Sequence, residues 1–591
     1  ALLITAVVAL AIGNYLIGRE QARTERNYQL ARAAVEQMLT EVGAVELADV
    51  PQMEAVRRRL LQRALAFYLT FLQERGNEAA LRQDAAEAHT RLADIQEMLG
   101  AYDQAEPQYR QAIALLTALA AAAPEAAAPH RALAQADHGY GLLLRKANRF
   151  GEAEARLREA LRLRERLVAA APADPDDRQR LADTRYFLGA LLARQARHAE
   201  DEALYQQALA EQERLVAENR DRPEYRGTLA RYLNNVGILR SATGRPEAAE
   251  AAFREAEAIQ QELTKSFPAM PGYRWQLART ASNLANLQIA SGRAQPAEAD
   301  FRRALALQEA LAADYPKVPD YRSELAVISS NLGLLLTKLG RGPEAEDAFR
   351  RALGLQRALV AEFPRRPDDR QRLAVTDLNL AIVLEATAPA EARALYAEAI
   401  GAQEAIVGLY PTVPEYRGAL GQSLWNLASF QFSRGAAAEA LPILERGIGQ
   451  LRTALEADGR NRSYRTALRA AQADLAVALI QKGDHAGAAA AAEEVPRLVP
   501  DEPDSSLRAA GYLARCGVIA GADARLPEPR RRELREDYAR RAVAVLRQAV
   551  GLGVLANPRD LDRPELEPLR DRADMRAIRQ DLDARATPRV G

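Results

Sequence analysis

One phrase recurs along the chain at a nearly fixed interval. The segments beginning at Pro223, Pro271, Pro319 and Pro414 read PEYRGTLARYLNNVG, PGYRWQLARTASNLA, PDYRSELAVISSNLG and PEYRGALGQSLWNLA. The arginine of the phrase returns at Arg82, Arg131, Arg178, Arg226, Arg274, Arg322, Arg370, Arg417 and Arg465. A small residue follows each at Ala93, Gly141, Gly189, Gly237, Ala285, Gly333, Ala381, Ala428 and Ala476. Ala93 to Ala476 spans 383 residues in eight intervals, a period of 47.9. A unit this short cannot dry its own apolar face, so the copies must stack.

Each unit reads as two helices. The first begins at the proline, which suits a first helical turn, and places Leu229, Leu233 and Val236 at helical spacing. Gly244, Gly292 and Gly340 then mark a tight turn, and the second helix runs to Phe267-Pro268, Tyr315-Pro316 or Phe363-Pro364, where proline blocks continuation. The PxxP strings between units follow from this stop and start, rather than from a Pro-rich ligand motif.

Counted from the small residue of the first helix, three columns carry the packing of the second. They are Ala249, Ala297 and Ala345 at +12, Phe253, Phe301 and Phe349 at +16, and Ala256, Ala304 and Ala352 at +19. Together with Gly237, Ala285 and Gly333 they let backbones approach while a ring fills the gap. On these positions the chain resembles the tetratricopeptide repeat (TPR) family over residues 81–500. The resemblance implies an all-α fold, a TPR-type α-solenoid in which long antiparallel helix pairs wind as a right-handed superhelix. The unit departs from that family in being about 14 residues longer than its 34-residue standard. The seventh unit is one residue short in its turn (LEATAPAEARALY), and the last has Ala492 in the aromatic column.

The ends differ from the middle. Residues 1–12, ALLITAVVALAI, are apolar throughout, and with Leu16-Ile17 they read as a truncated transmembrane helix; a signal-peptide remnant or a buried helix are the alternatives. Residues 20–42 and 51–75 read as a helical pair closing the nearer end of the stack. The expected division is 1–18 membrane stub, 19–78 juxtamembrane pair, 79–500 nine units, and 501–591 a helical pair and cap. This order resembles the C-terminal half of bacterial membrane-anchored serine/threonine kinases with TPR tails, a family in which the kinase domain lies before the membrane helix. It implies a single-pass protein of the bacterial inner membrane, with the side of the repeats left open.

Composition narrows the chemistry. With 80 basic against 80 acidic residues the formal charge is zero, and no basic run offers a polyanion site, so nucleic acid is not expected as a partner. A single Cys516 excludes an internal disulfide, and the five scattered histidines lack any zinc-ligand spacing, so no metal site is expected. No Gly-rich phosphate loop, H-R-D or D-F-G signature is present. The reading is a non-enzyme with no cofactor and no small-molecule substrate.

Two sets of polar columns remain. The repeated arginine and the Tyr225, Tyr273, Tyr321, Tyr416 and Tyr464 beside it recur too regularly to read one ligand, and are assigned to stacking, the arginine against acids of the neighbouring unit. Two residues before the small position stand Asn235, Asn283, Asn331, Asn379 and Asn426. Two helical residues are about 200° apart, so these amides point away from the partner helix toward a groove. There they either bind the backbone of an extended peptide or form an amide ladder between first helices, and the two readings stand level. Peptide-binding members of the resembled family use Asn at this place. Arg231 and Arg279, one turn earlier, are candidates for acidic side chains. The expected function is a membrane-tethered interaction scaffold, the non-catalytic sensing or recruiting region of a kinase; the alternative is a cell-envelope assembly protein with no kinase.

Overall fold

The computed structural model describes residues 54–75, 81–98, 101–147, 149–195, 197–316, 318–363, 367–411, 413–459 and 461–586. The membrane-stub reading of residues 1–18 and the helix over 20–42 lie outside them. Among the described residues no helix is long and apolar enough to cross a membrane. The chain divides into two compact units, Ala1–Leu355 and Gln356–Gly591.

The first unit opens with α1 (Glu54–Arg75) and continues as hairpins: α2 (Arg82–Met98) with α3 (Tyr102–Ala122), α4 (Ala127–Lys146) with α5 (Phe150–Ala170), and α6 (Pro175–Arg194) with α7 (His198–Glu218). Next come α8 (Pro223–Ala242) with α9 (Pro246–Ser266), α10 (Pro271–Ala290) with α11 (Ala294–Asp314), and α12 (Pro319–Lys338) followed by α13 (Gly342–Glu362). The second unit holds α14 (Pro367–Leu384) with α15 (Pro389–Leu409), α16 (Pro414–Ser433) with α17 (Ala437–Ala457), and α18 (Arg462–Lys482) with α19 (His485–Leu498). It finishes with α20 (Pro503–Ala522), α21 (Glu528–Gly551), two 3₁₀ turns, and α22 (Ala573–Ala586). Within each unit the backbones of successive first helices also approach one another, α8 with α10 and α10 with α12, or α16 with α18.

The hairpins close through a ring beneath a small residue. Phe253, Phe301 and Phe349 are at most 1% exposed, and Ala249, Ala297, Ala345, Ala256, Ala304 and Ala352 are fully buried around them. A methyl on Gly237 would stand 2.6 Å from the Phe253 ring, and one on Gly333 2.8 Å from that of Phe349. At Ala285 the methyl is present and itself fully buried. The turns use Gly244, Gly292 and Gly340 at φ of 75°, 74° and 73°, a conformation that costs a non-glycine residue about 1–2 kcal/mol. In the short seventh turn there is no such glycine; α14 stops at Leu384, and the Tyr396 hydroxyl, in the aromatic column, donates to Glu385 at 2.6 Å.

Stacking between hairpins has two recurrent polar devices. The turn arginines Arg149, Arg197, Arg245, Arg293 and Arg341 reach back 43 residues to Glu106, Glu154, Glu202, Glu250 and Glu298, at 2.6–2.8 Å. Such partly exposed pairs contribute about 0.2–1 kcal/mol each. On the second helices a buried glutamine column, Gln212, Gln260 and Gln308, lies at the joint; Gln212 and Gln308 donate to the carbonyls of Tyr225 and Tyr321 of the next hairpin at 3.0 and 2.9 Å. Tyr273 packs on Gly227 of the preceding first helix, where a methyl would meet it at 2.9 Å. The phrase arginine differs from its expected role where Arg226 pairs with Glu262 and Arg274 with Asp314 on the second helix of its own hairpin, while Arg131 crosses to the next, onto Asp177 at 2.5 Å. The long second helix brings its acidic C-terminal turn back beside the start of the first.

Apolar clusters pack α1 on α2 in the first unit and the last helices of the second. Leu60, Leu61, Ala64, Tyr68 and Phe71 of α1 cover Leu81, Ala85, Ala88, Leu92 and Ile95. In the second unit Leu561, Leu566, Leu569, Met575, Ile578 and Leu582 join the core of α20 and α21, with Ala492 buried in the same cluster.

Truncating a ring should open a cavity at one joint, so Phe301→Ala is expected to cost about 3–5 kcal/mol in a urea titration. Burial pushes the Asp377 carboxyl up to about 7, with Arg357 at 3.4 Å opposing the shift. An unfolded aspartate ionises near pH 4, so between about pH 4 and 7 the unfolded chain releases a proton that the folded chain keeps, and stability falls as pH rises. Asp377→Asn should therefore raise the thermal midpoint above pH 7 and give no difference below about pH 4.

Candidate peptide-binding face

The first helices are covered by neighbours on every side but one. On α8 the uncovered stripe is Arg231, Asn235 and Ile238, on α10 Arg279, Asn283 and Asn286, and on α12 Val327, Asn331 and Leu334; the intervening positions are mostly buried. These residues lie at i, i+4 and i+7, one helical face. On α6 the same stripe holds Asp183, Phe187 and Ala190. In the second unit it holds Val375, Asn379 and Ile382 on α14, and Gln422, Asn426 and Ser429 on α16. All five column asparagines are half-buried on this face.

Two of the five are tied into the stack. Asn235 donates to the Tyr186 hydroxyl at 2.6 Å, and Asn283 to Oδ1 of Asn234 at 3.0 Å, each joining one first helix to the preceding one across 49 residues. The same register recurs in the second unit, where Trp425 Nε1 donates to Asp474 at 2.7 Å. The rule is that the position three before the small residue meets the position two before it on the next first helix. Asn331, Asn379 and Asn426 make no hydrogen bond among the described residues, so their amides face solvent with donor and acceptor open. The structure brings Asn235, Asn283 and Arg231 into polar contacts and leaves the other four candidates outside them.

The arginines sit on aromatic faces. Arg231 bonds Asp183 at 3.1 Å, and its guanidinium lies 5.3 Å from the Tyr186 ring centroid and 5.9 Å from that of Phe187. Tyr186 and Tyr232 stack at 4.5 Å, and the Tyr232 hydroxyl donates to Asp183 at 2.8 Å. Arg279 lies 5.2 Å from the Trp275 ring and has no carboxylate partner among the described residues. Such placement holds a guanidinium flat and directs its donors along the face. Burial raises the Tyr186 hydroxyl pKa, while Arg231, Arg279 and Arg145 oppose the rise, so three positive charges act on this spot.

Behind α4 and α6 lies a further cation. Arg164 takes the place of the buried glutamine column, and burial pushes it down to about 10. It donates to the Arg180 carbonyl at 2.7 Å, to Thr184, and to Gln135 on the exposed stripe of α4 at 3.0 Å. Sequence reasoning missed Asp183, Tyr186, Trp275 and Arg164 because it followed columns that recur. Their signal is the reverse, a residue in one copy that breaks its own column. Among the described residues no group of His, Cys, Asp or Glu side chains converges as a metal site requires.

Residues 141–176 and 325–365, in the α4–α6 and α12–α13 stretches, match the tetratricopeptide repeat family. No curated protein matches the chain. Among solved structures, BtubC (BKLC) from P. vanneervenii is 23% identical, over 44% of this chain and 92% of that one, with a TM-score of 0.34. The apo form of RapI is 13% identical over 70% and 96% at 0.42, and the apo quorum sensor NprR from B. thuringiensis 15% identical over 68% and 98%, also at 0.42.

Asn283→Ala removes one rung and leaves the Asn234 carbonyl oxygen unpaired, so it should cost about 1–3 kcal/mol, whereas Asn331→Ala should change stability by less than about 0.5 kcal/mol. Thermal melts of the two variants read the difference directly.

Proposed function

We propose that this chain is a non-catalytic protein-interaction scaffold whose first-helix face in the first unit binds an extended peptide carrying acidic side chains. One observation supports it above the rest: Arg279, held against Trp275, has no carboxylate partner among the described residues, in a protein where most arginines on the second helices and turns are paired. A partner carboxylate completes that guanidinium with charge-assisted bonds. Asn331 offers its open amide to the peptide backbone, and Ile238 and Leu334, 44% and 39% exposed, supply apolar contact on either side. Asn235 and Asn283 serve the stack and position the face.

The membrane tether and the kinase belong to the same proposal in finer form. They rest on the apolar run of residues 1–12, continued by Leu16-Ile17, and on the resemblance of the chain to membrane-anchored kinases with TPR tails. Kinase motifs encoded upstream of Ala1 support that reading; a start codon with a short basic leader there supports the cell-envelope assembly role instead.

Peptide arrays graded by acidity, read by fluorescence anisotropy against the full chain, test the binding face. Arg279→Glu should weaken capture of acidic peptides by about tenfold or more with an unchanged melting midpoint. Equal capture by wild type, Arg279→Glu and the Asn283/Asn331/Asn379 triple alanine variant would sink the groove reading.

A further inference from the structure

On the opposite side of the first unit, α3 is unlike every other second helix. From Gln111 to Pro124 the chain carries no charge, where α5 alternates Glu and Arg and α7 and α9 carry several Glu each. In α11 and α13 an arginine near the middle of the helix reaches the preceding second helix, Arg303 to Glu257 and Arg351 to Glu309. In α5 the equivalent residue is Glu159, which pairs with Arg162 on its own helix. Between α3 and α5 lies a slot of about 370 Å³. That is within the ordinary range of small-molecule sites, about 300–1,000 Å³.

The walls of the slot differ in character. Ile113, Thr117, Ala120 and Ala121 of α3 form one wall, and Leu133 and Leu163 floor it. Arg156, Arg162 and Arg166 form the other, together with the carboxylates of Asp137 and Glu159. Arg156 is held by Asp137 at 3.0 Å and Arg162 by Glu159. Arg166 is exposed and has no carboxylate partner among the described residues. Near it, by the antiparallel course of α4 against α3 and α5, lies His130, whose Nε2 is 2.9 Å from the Pro124 carbonyl and whose Nδ1 is buried without a partner. The slot is thus apolar along one side, with one uncompensated cation toward the end formed by the last turns of α3 and α5.

From this juxtaposition we propose that the α3–α5 slot binds a small anionic amphiphile, a monocarboxylate whose aliphatic tail lies on Ile113, Thr117 and Ala120 and whose head meets Arg166. An apolar tail displaces water from a wall that is apolar but for the Thr117 hydroxyl, whose proton goes to the Ile113 carbonyl, and a single carboxylate neutralises the one unpaired arginine. The volume is too small for a partner helix, whose diameter with side chains is about 10–12 Å.

Calorimetric titration of the full chain with decanoate tests the site. Saturable binding is expected, weakened about tenfold or more in Arg166→Glu and lost in Ala121→Trp, which fills the slot from an exposed position. Decylamine, with the same tail and the opposite charge, should not compete. Arg279→Glu should leave decanoate binding unchanged, which separates this site from the peptide face. Circular dichroism melts of both slot variants confirm that each folds. No saturable binding, equal affinity of Arg166→Glu, competition by decylamine, or capture of an acidic helical peptide in place of decanoate would each overturn the proposal.

Discussion

The whole stack depends on how closely a first helix approaches the second helix of its hairpin. A glycine or alanine on one faces a phenylalanine on the other, and the ring fills what the missing side chain leaves. Because a methyl on Gly237 would already press on Phe253 at 2.6 Å, the separation of the helices is set at this contact. Burial of such a ring contributes about 1.5–3 kcal/mol beyond leaving it exposed. The same approach lets the long second helix overhang its partner, so that Glu262 and Asp314 reach Arg226 and Arg274. The outer faces of the hairpin then present their glutamine and tyrosine columns to the next copy in register.

Register between hairpins is what turns identical units into a specific surface. The turn arginines and their glutamates repeat at one fixed separation through the first unit, and each adds little alone; as a series they fix the stagger of one hairpin on the next. Once the stagger is fixed, position three of one first helix meets position two of the next, and Tyr186 with Asn235 or Asn234 with Asn283 close as hydrogen bonds. Residues at the stripe are then the ones nothing covers. In the first unit those include two arginines on aromatic rings, an aspartate, the open amides of Asn286 on α10 and Asn331 on α12, and the exposed aliphatic groups of Ile238 and Leu334.

Both proposed sites arise where one copy breaks the pattern that its neighbours keep. Trp275 stands where other first helices have Gly227, Ser323 or Gly418, and it gives Arg279 a flat surface to lie on. The uncharged run of α3 stands where α11 and α13 pair across the joint. A repeat array gains binding function by such departures because each hairpin's fold is secured by its columns, leaving other positions free to vary.

The fold was legible in the sequence because its determinants are periodic. The 48-residue interval, the prolines and left-handed glycines at the turns, and the Ala, Phe and Ala columns each follow from local geometry or from packing within one hairpin. The asparagine column was legible as a position but not as a role: two members close on the preceding helix and three stay open, which depends on what the neighbouring copy supplies, Tyr186 and Asn234 for Asn235 and Asn283. The phrase arginine was assigned across the joint and at Arg226 and Arg274 instead turns back, since helix length decides which carboxylate it can reach. By itself the sequence determined that long helix pairs stack in register with no catalytic motif. Only the tertiary structure decided which arginines remain without a carboxylate, because many of the pairs join side chains far apart in the chain, such as Arg231 with Asp183 and Arg303 with Glu257, whose distance no local pattern encodes.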